Sequence, residues 1–207
     1  VALEVGHELL EPRLPVLVED HDDTVLFDTG PDGTALLHNL EQLEIDVSRI
    51  DAVVLSHIHH DHVGGTEALL RKASHPRVFV PPSFPAAFQQ AVRSRATEVE
   101  VAPGTRVGSA LLSTGELPGP PGEQALIIRT TSGLVVVTGC SHPGVVRLVE
   151  RARELAGPRV RLVLGGFHLV RAAPSELDKV IAGLKALEVR AVAPCHCSGD
   201  NARAAMK

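Results

Sequence analysis

Ser56-His57-Ile58-His59-His60-Asp61-His62-Val63-Gly64-Gly65 decides how the rest of this 207-residue chain reads. It follows an apolar run, Ala52–Leu55, with the character of a strand, and precedes an amphipathic stretch, Gly65–Lys72, with that of a helix. A polar turn at the carboxyl end of a strand is where open α/β sheets place their ligands. His57 and His59 stand two residues apart, so in extended chain their side chains point the same way. Asp61 and His62 follow where the chain turns and reach the other side of the same small volume. Neutral imidazoles and a carboxylate are suitable ligands for Zn, Mn or Fe. The competing explanation is a solvated turn with coincidental histidines. His-x-His-x-Asp-His arises by chance in about one such chain in a thousand, which favours metal binding. His60 fills a variable position and is expected at the rim or in solvent.

Composition narrows the function classes. The chain carries 44% hydrophobic and 22% charged residues and a net charge of -5, an ordinary globular balance. It has 11 His but only 5 aromatic residues, all Phe. Scarce aromatics argue against stacking on single-stranded nucleic acid, and the acidic balance argues against a phosphate-backbone binder. Three Cys are too few for a disulfide framework, so an intracellular, reducing (cytoplasmic) setting and no membrane partner are expected. Val1-Ala2-Leu3-Glu4 shows neither the basic nor the apolar region of a secretory signal.

Apolar runs alternate with amphipathic segments along the chain, the pattern of an α/β protein. Strands are expected at 15–19, 24–27, 52–55, 77–80, 125–129, 134–138, 159–164 and 189–193. Helices are expected at 35–42, 65–72, 85–94, 143–155 and 174–187. Val145, Leu148, Val149, Ala152 and Leu155 form an apolar stripe at helical spacing, as do Leu177, Val180, Ile181, Leu184 and Leu187; core packing explains both. The loop Leu117-Pro118-Gly119-Pro120-Pro121-Gly122 excludes regular structure and divides the chain roughly in half. A single domain of two pseudo-repeated halves meeting near 117–122 is expected.

The central motif, with Phe27-Asp28-Thr29-Gly30 upstream, resembles the metallo-β-lactamase fold superfamily over nearly the whole chain. Three further segments follow expected strands: Thr138-Gly139-Cys140-Ser141-His142-Pro143-Gly144, Gly165-Gly166-Phe167-His168-Leu169 and Pro194-Cys195-His196-Cys197-Ser198-Gly199. Together they are similar to the subgroup labelled 7,8-dihydropterin-6-methyl-4-(β-D-ribofuranosyl)-aminobenzene 5′-phosphate synthase, a family label more than a substrate assignment. The resemblance implies a four-layer αβ/βα sandwich with a one- or two-metal centre at the sheet edge, most simply two Zn ions, with Mn or Fe as alternatives. It also implies that Asp28 braces the His loop by hydrogen bonds and does not bind metal.

The resemblance has one gap. Where most superfamily members carry a third metal-site His, this chain has Thr114-Gly115-Glu116-Leu117-Pro118-Gly119, with Glu116 in the His slot. Cys140 stands at the usual bridging Asp, and His142 two residues on is the substitute ligand. The implied set is His57, His59 and His142 on one ion, and Asp61, His62 and His196 on the other. Cys140 either bridges the ions or is packed as a small hydrophobe. Glu116 is expected to be an exposed loop acid. Asp61 and His168 are the candidate catalytic groups, His168 orienting substrate or donating a proton. His7, His21, His38 and His75 are expected at the surface.

Such a centre lowers the pKa of bound water to about 7 and stabilises a developing oxyanion. The expected activity is therefore hydrolysis of a small, anionic substrate: a phosphoester, carboxylic ester or lactone. Two other classes stay open. One is a mononuclear-iron dioxygenase-like oxidoreductase, which shares His-x-His-x-Asp-His. The other is a non-catalytic, metal-stabilised ligand-binding module.

Overall fold

The computed structural model describes residues 2–4, 15–20 and 23–207. His7 and His21, read as surface residues, lie outside them. Two compact units divide the chain: one runs up to Val101 and includes Arg106–Ser109, and the other comprises Ala102–Thr105 and Ala110–Lys207.

The first unit is built on a six-stranded sheet whose strands lie in sequence order. They are β1 (Ala2–Glu4), β2 (Val16–Asp20), β3 (Asp23–Phe27), β4 (Ala52–Val54), β5 (Arg77–Val80) and β6 (Thr97–Glu100). β1 to β3 pair antiparallel, and β3 to β6 pair parallel. The parallel crossovers carry α1 (Gly33–Gln42), α2 (His60–Val63), α3 (Thr66–Leu70) and α4 (Ala86–Arg93). Leu26, Val53 and Val78 on one face of the sheet pack with Leu36, Leu40, Leu69 and Val92 of these helices. Val25, Phe27, Ala52 and Val54, of the opposite parity, are also buried. That is why β3 and β4 read as continuous apolar runs and not as alternation. Thr97-Glu98-Val99-Glu100 was not expected as a strand: it is the sheet's edge, only partly buried, and has a single apolar residue.

The second unit is a five-stranded sheet in the order β11-β10-β9-β8-β7. Its strands are β7 (Leu111–Ser113), β8 (Leu126–Thr130), β9 (Gly133–Thr138), β10 (Val160–Gly166) and β11 (Val192–Cys195). β7, β8 and β9 pair antiparallel; β9, β10 and β11 pair parallel. α5 (Val145–Ala156), α6 (Pro174–Ala186) and α7 (Asp200–Ala205) complete it. Leu148, Val149 and Ala152 of α5 and Leu184 of α6 pack with Ile127, Val136 and Val163 of the sheet. Each unit thus supplies one sheet and one helical layer of the expected α/β fold.

The two units divide between Val101 and Ala110, and the Pro/Gly loop 117–122 lies within the second. Leu117 and Glu123 exchange backbone hydrogen bonds (2.9 and 3.1 Å), closing that loop inside the second unit. The last strand begins at Val192, not Val189, because the Val189 N–H still closes the end of α6 on Leu184 O (3.1 Å), with Glu188 left-handed at φ 54°. The expected helix 65–72 is shorter and preceded by a separate turn, α2, broken from α3 at Gly64-Gly65. There a Cβ on either glycine would run into a backbone oxygen of Thr29 or Pro31. No described helix is long and apolar enough to cross a membrane.

Candidate metal centre

In the first unit, β3 and β4 end side by side and deliver Asp28 and Ser56 to the same point. Asp28 is fully buried and left-handed (φ 62°), with its N–H on Val54 O at 2.8 Å. Its Oδ1 accepts the Ser56 N–H (2.7 Å), and its Oδ2 accepts the Ser56 hydroxyl (2.8 Å) and pairs with His62 Nδ1 (2.7 Å). An ionised carboxylate only accepts, so His62 carries its proton on Nδ1 and turns Nε2 to the ligand side. The Ser56 hydroxyl, having donated to Asp28, accepts from His57 Nδ1 at 2.9 Å. His57 therefore also presents Nε2. Thr29 holds the other flank: its N–H and hydroxyl both donate to His62 O, at 2.8 and 3.1 Å.

The ligand atoms so aimed fall into two pairs. His57 Nε2 lies 3.2 Å from His59 Nδ1, and His62 Nε2 lies 3.5 Å from Asp61 Oδ2. Two donors about 2.0–2.1 Å from one tetrahedral ion stand roughly 3.3–3.4 Å apart. Both pairs match that edge, so the residues fit a divalent ion. Burial works against a charged His62, but Asp28, by charge and hydrogen bond and with help from Asp61, raises its pKa to about 10. His57 and His62 are buried, Asp61 is half-buried, and His59 is exposed. His60 is exposed too, its ring lying over Gly64. His38 and His75 are at the surface, as expected.

In the second unit the candidate site segments again follow the ends of parallel strands: Cys140 and His142 after β9, His168 after β10, His196 after β11. Ser and Thr side chains stitch these turns together. The Thr138 and Ser141 hydroxyls donate to Gly166 O (3.1 and 2.6 Å), and Ser198 takes the Phe167 N–H (3.0 Å) while donating to Cys195 O (2.7 Å). Ser141, His168 and His196 are all left-handed, with φ of 64°, 54° and 49°. Such conformations cost about 1–3 kcal/mol each and persist where surrounding contacts over-determine them. Gly165 is at φ 129°, and a Cβ there would strike the Thr138 carbonyl.

Cys140 is buried, with Sγ 3.2 Å from His196 Nε2, and the ligand atoms of Cys140, His168 and Cys197 lie within 4.8 Å of one another. Of the two cysteines flanking His196, Cys195 is the packed one, its thiol pushed up to about 11 by burial. Cys197 is drawn down to about 6 by its hydrogen bond from Cys140, which outweighs burial, with His168 assisting. His168 is exposed, and its ring centroid lies 4.5 Å from that of His142. Glu116 is half-buried and sits against Gly122.

Sequence reading missed Glu123. It is fully buried just before β8 and accepts hydrogen bonds at both oxygens: Oε1 from the Cys140 and Ser141 N–H groups (2.9 and 2.8 Å), Oε2 from the His142 N–H (2.9 Å) and His142 Nδ1 (3.0 Å). The available signal was an acid immediately before a strand as apolar as Ala125–Ile128, where an uncompensated charge is costly.

The family profile described as Metallo-beta-lactamase superfamily matches residues 11–164. The chain is 28% identical to the 7,8-dihydropterin-6-methyl-4-(beta-D-ribofuranosyl)-aminobenzene-5'-phosphate synthase of Methanocaldococcus jannaschii, over 86% of this chain and 76% of that one. Among solved structures it is similar to Tm1679, a metal-dependent hydrolase of the beta-lactamase superfamily (TM-score 0.72, 28% identity, 90% of this chain and 85% of that one). Human tRNase Z, short form, shares the fold (TM-score 0.63, 12% identity, 94% and 90% covered).

Proposed function

Because the chain belongs to the metallo-beta-lactamase superfamily, we propose that it is a hydrolase with a dinuclear divalent-metal centre acting on a small anionic ester. The observation that carries this reading is the pair of ligand edges, His57 Nε2–His59 Nδ1 and Asp61 Oδ2–His62 Nε2, with both buried imidazoles oriented by Asp28. Zinc suits the mixed imidazole, carboxylate and thiolate donors best. Bound divalent ions supply a nucleophilic hydroxide near neutral pH and positive charge for the developing oxyanion.

The chain's own groups do the rest. Asp28 and Ser56 keep His57 and His62 in the tautomer that offers Nε2. Asp61, with its side chain 42% exposed, can also take a hydrogen bond from an attacking water. His168, exposed beside His142, orients the substrate or protonates the leaving oxygen. A phosphoester is the preferred substrate class; the phosphate in the name of the archaeal relative and the family's hydrolase chemistry support it. With no Trp or Tyr in the chain, recognition rests on metal, histidine and loop backbone.

Metal analysis after purification without added metal, followed by a phosphodiesterase, phosphomonoesterase, esterase and lactonase panel on Zn-, Mn- and Fe-loaded protein, tests the proposal. Two divalent ions per chain with ester turnover are expected. One iron per chain with oxygen consumption overturns it in favour of a dioxygenase-like activity. Metal binding without turnover on any substrate overturns it in favour of a binding module.

A further inference from the structure

On the proposed reading His142 replaces the superfamily ligand whose slot Glu116 occupies, and a substitute ligand needs its own means of orientation. A histidine ligates through one nitrogen, and which one is available depends on the partner of the other. In the first unit that partner is Asp28. The second unit holds an independent counterpart. The Glu123 carboxylate sits in a concavity formed by three successive backbone N–H groups, those of Cys140, Ser141 and His142. The left-handed Ser141 turns these groups toward one point, the geometry of an anion-binding nest. A further donor on Glu123 is the His142 ring itself, Nδ1 to Oε2 at 3.0 Å.

We propose that Glu123 is the positioning residue for His142, holding the turn 140–142 and fixing His142 with its proton on Nδ1 so that Nε2 is the ligating atom. These donors engage both oxygens of the carboxylate, so Glu123 acts through His142. Its full burial is consistent with this: a buried charge is tolerable only where hydrogen bonds replace its hydration. The inference rests on the proposed metal centre only in naming Nε2 as the ligating atom.

The roles predict a specific defect in Glu123→Gln. The amide oxygen can still serve Cys140 and Ser141. The NH₂ group then faces two donors, and the arrangement is relieved if the His142 proton moves to Nε2. Nitrogen NMR of histidine-labelled, metal-free protein reads this directly at a pH where the imidazole is neutral, with the His142 signal assigned by its loss in His142→Gln. In the wild type the proton is expected on Nδ1; a proton on Nε2 overturns the proposal without any Glu123 variant having to fold. In Glu123→Gln the proton is expected on Nε2, with zinc affinity lowered roughly 10–100-fold. A folded Glu123→Gln protein with wild-type tautomer and affinity also overturns it. The tautomer is read without substrate, so a failure to hydrolyse any ester would count against the hydrolase reading alone.

Discussion

The Asp28 Oδ2 and His62 Nδ1 atoms lie 2.7 Å apart, and both side chains are fully buried. The same oxygen takes the Ser56 hydroxyl, which in turn holds His57, so one carboxylate governs two candidate ligand histidines. Asp28 reaches this position only through a left-handed backbone at the end of β3, a conformation that Asp and Asn tolerate better than most residues.

Asp28→Asn keeps that backbone while removing the charge and placing a donor or a single acceptor between Ser56 and His62. Zinc affinity should fall roughly 10–100-fold with the fold retained. Asp28→Ala adds backbone strain and leaves His62 without its buried partner, a loss of about 3–5 kcal/mol in stability. Metal titration and denaturant unfolding of the two variants side by side check the difference; equal affinity in Asp28→Asn and wild type would contradict the orienting role.

Glu116 and His142 make a second contrast. Glu116→Ala should leave the metal content per chain unchanged, because its side chain rests against Gly122 in the closed 117–123 loop. His142→Ala should lower the content by about one ion. Elemental analysis of both variants decides which residue stands in for the missing histidine, and the reverse pattern would move the ligand to Glu116.

His168→Ala separates binding from chemistry. The residue lies outside the proposed ligand set, so its loss should leave metal stoichiometry intact and lower kcat by about 10²–10⁴-fold if it transfers a proton. A raised KM at unchanged kcat would instead assign it to substrate binding. Loss of a metal ion from this variant would remove it from both roles.

Gly165→Ala tests the packing beneath the second unit's ligand loops. The substitution combines a φ of 129° with a clash against the Thr138 backbone, which cannot move without disturbing the β9–β10 pairing. A loss of about 2–5 kcal/mol is expected from overpacking and strain together. In Gly122→Ala the clash is with the movable end of Glu116, so a loss below about 1 kcal/mol is expected. Denaturant midpoints of the pair provide the measurement.

Local order was written plainly in the chain. The Val- and Leu-rich runs at β3, β4, β9 and β10 announced strands because those strands are apolar on both faces, and the stripe Val145–Ala152 announced α5 because one face of it meets a sheet. The first-unit donors were legible as well: four ligand candidates fall within six residues, and a strand end followed by one helical turn brings them together with little help. β6 was not legible, because an edge strand of alternating Thr, Glu and Val needs no apolar face.

The sequence by itself therefore determined the α/β class, the superfamily resemblance and the residue types available to hold metal, all of which depend on short-range spacing and on which residues are apolar. Tertiary structure alone decided which nitrogen each buried histidine presents. Asp28 is 28 residues from Ser56 and 34 from His62, and Glu123 is 19 from His142; these carboxylates meet their donors only because neighbouring strands end at the same level. A proton's place on an imidazole follows from what faces the ring, and pattern along the chain carries no record of what faces what across a sheet.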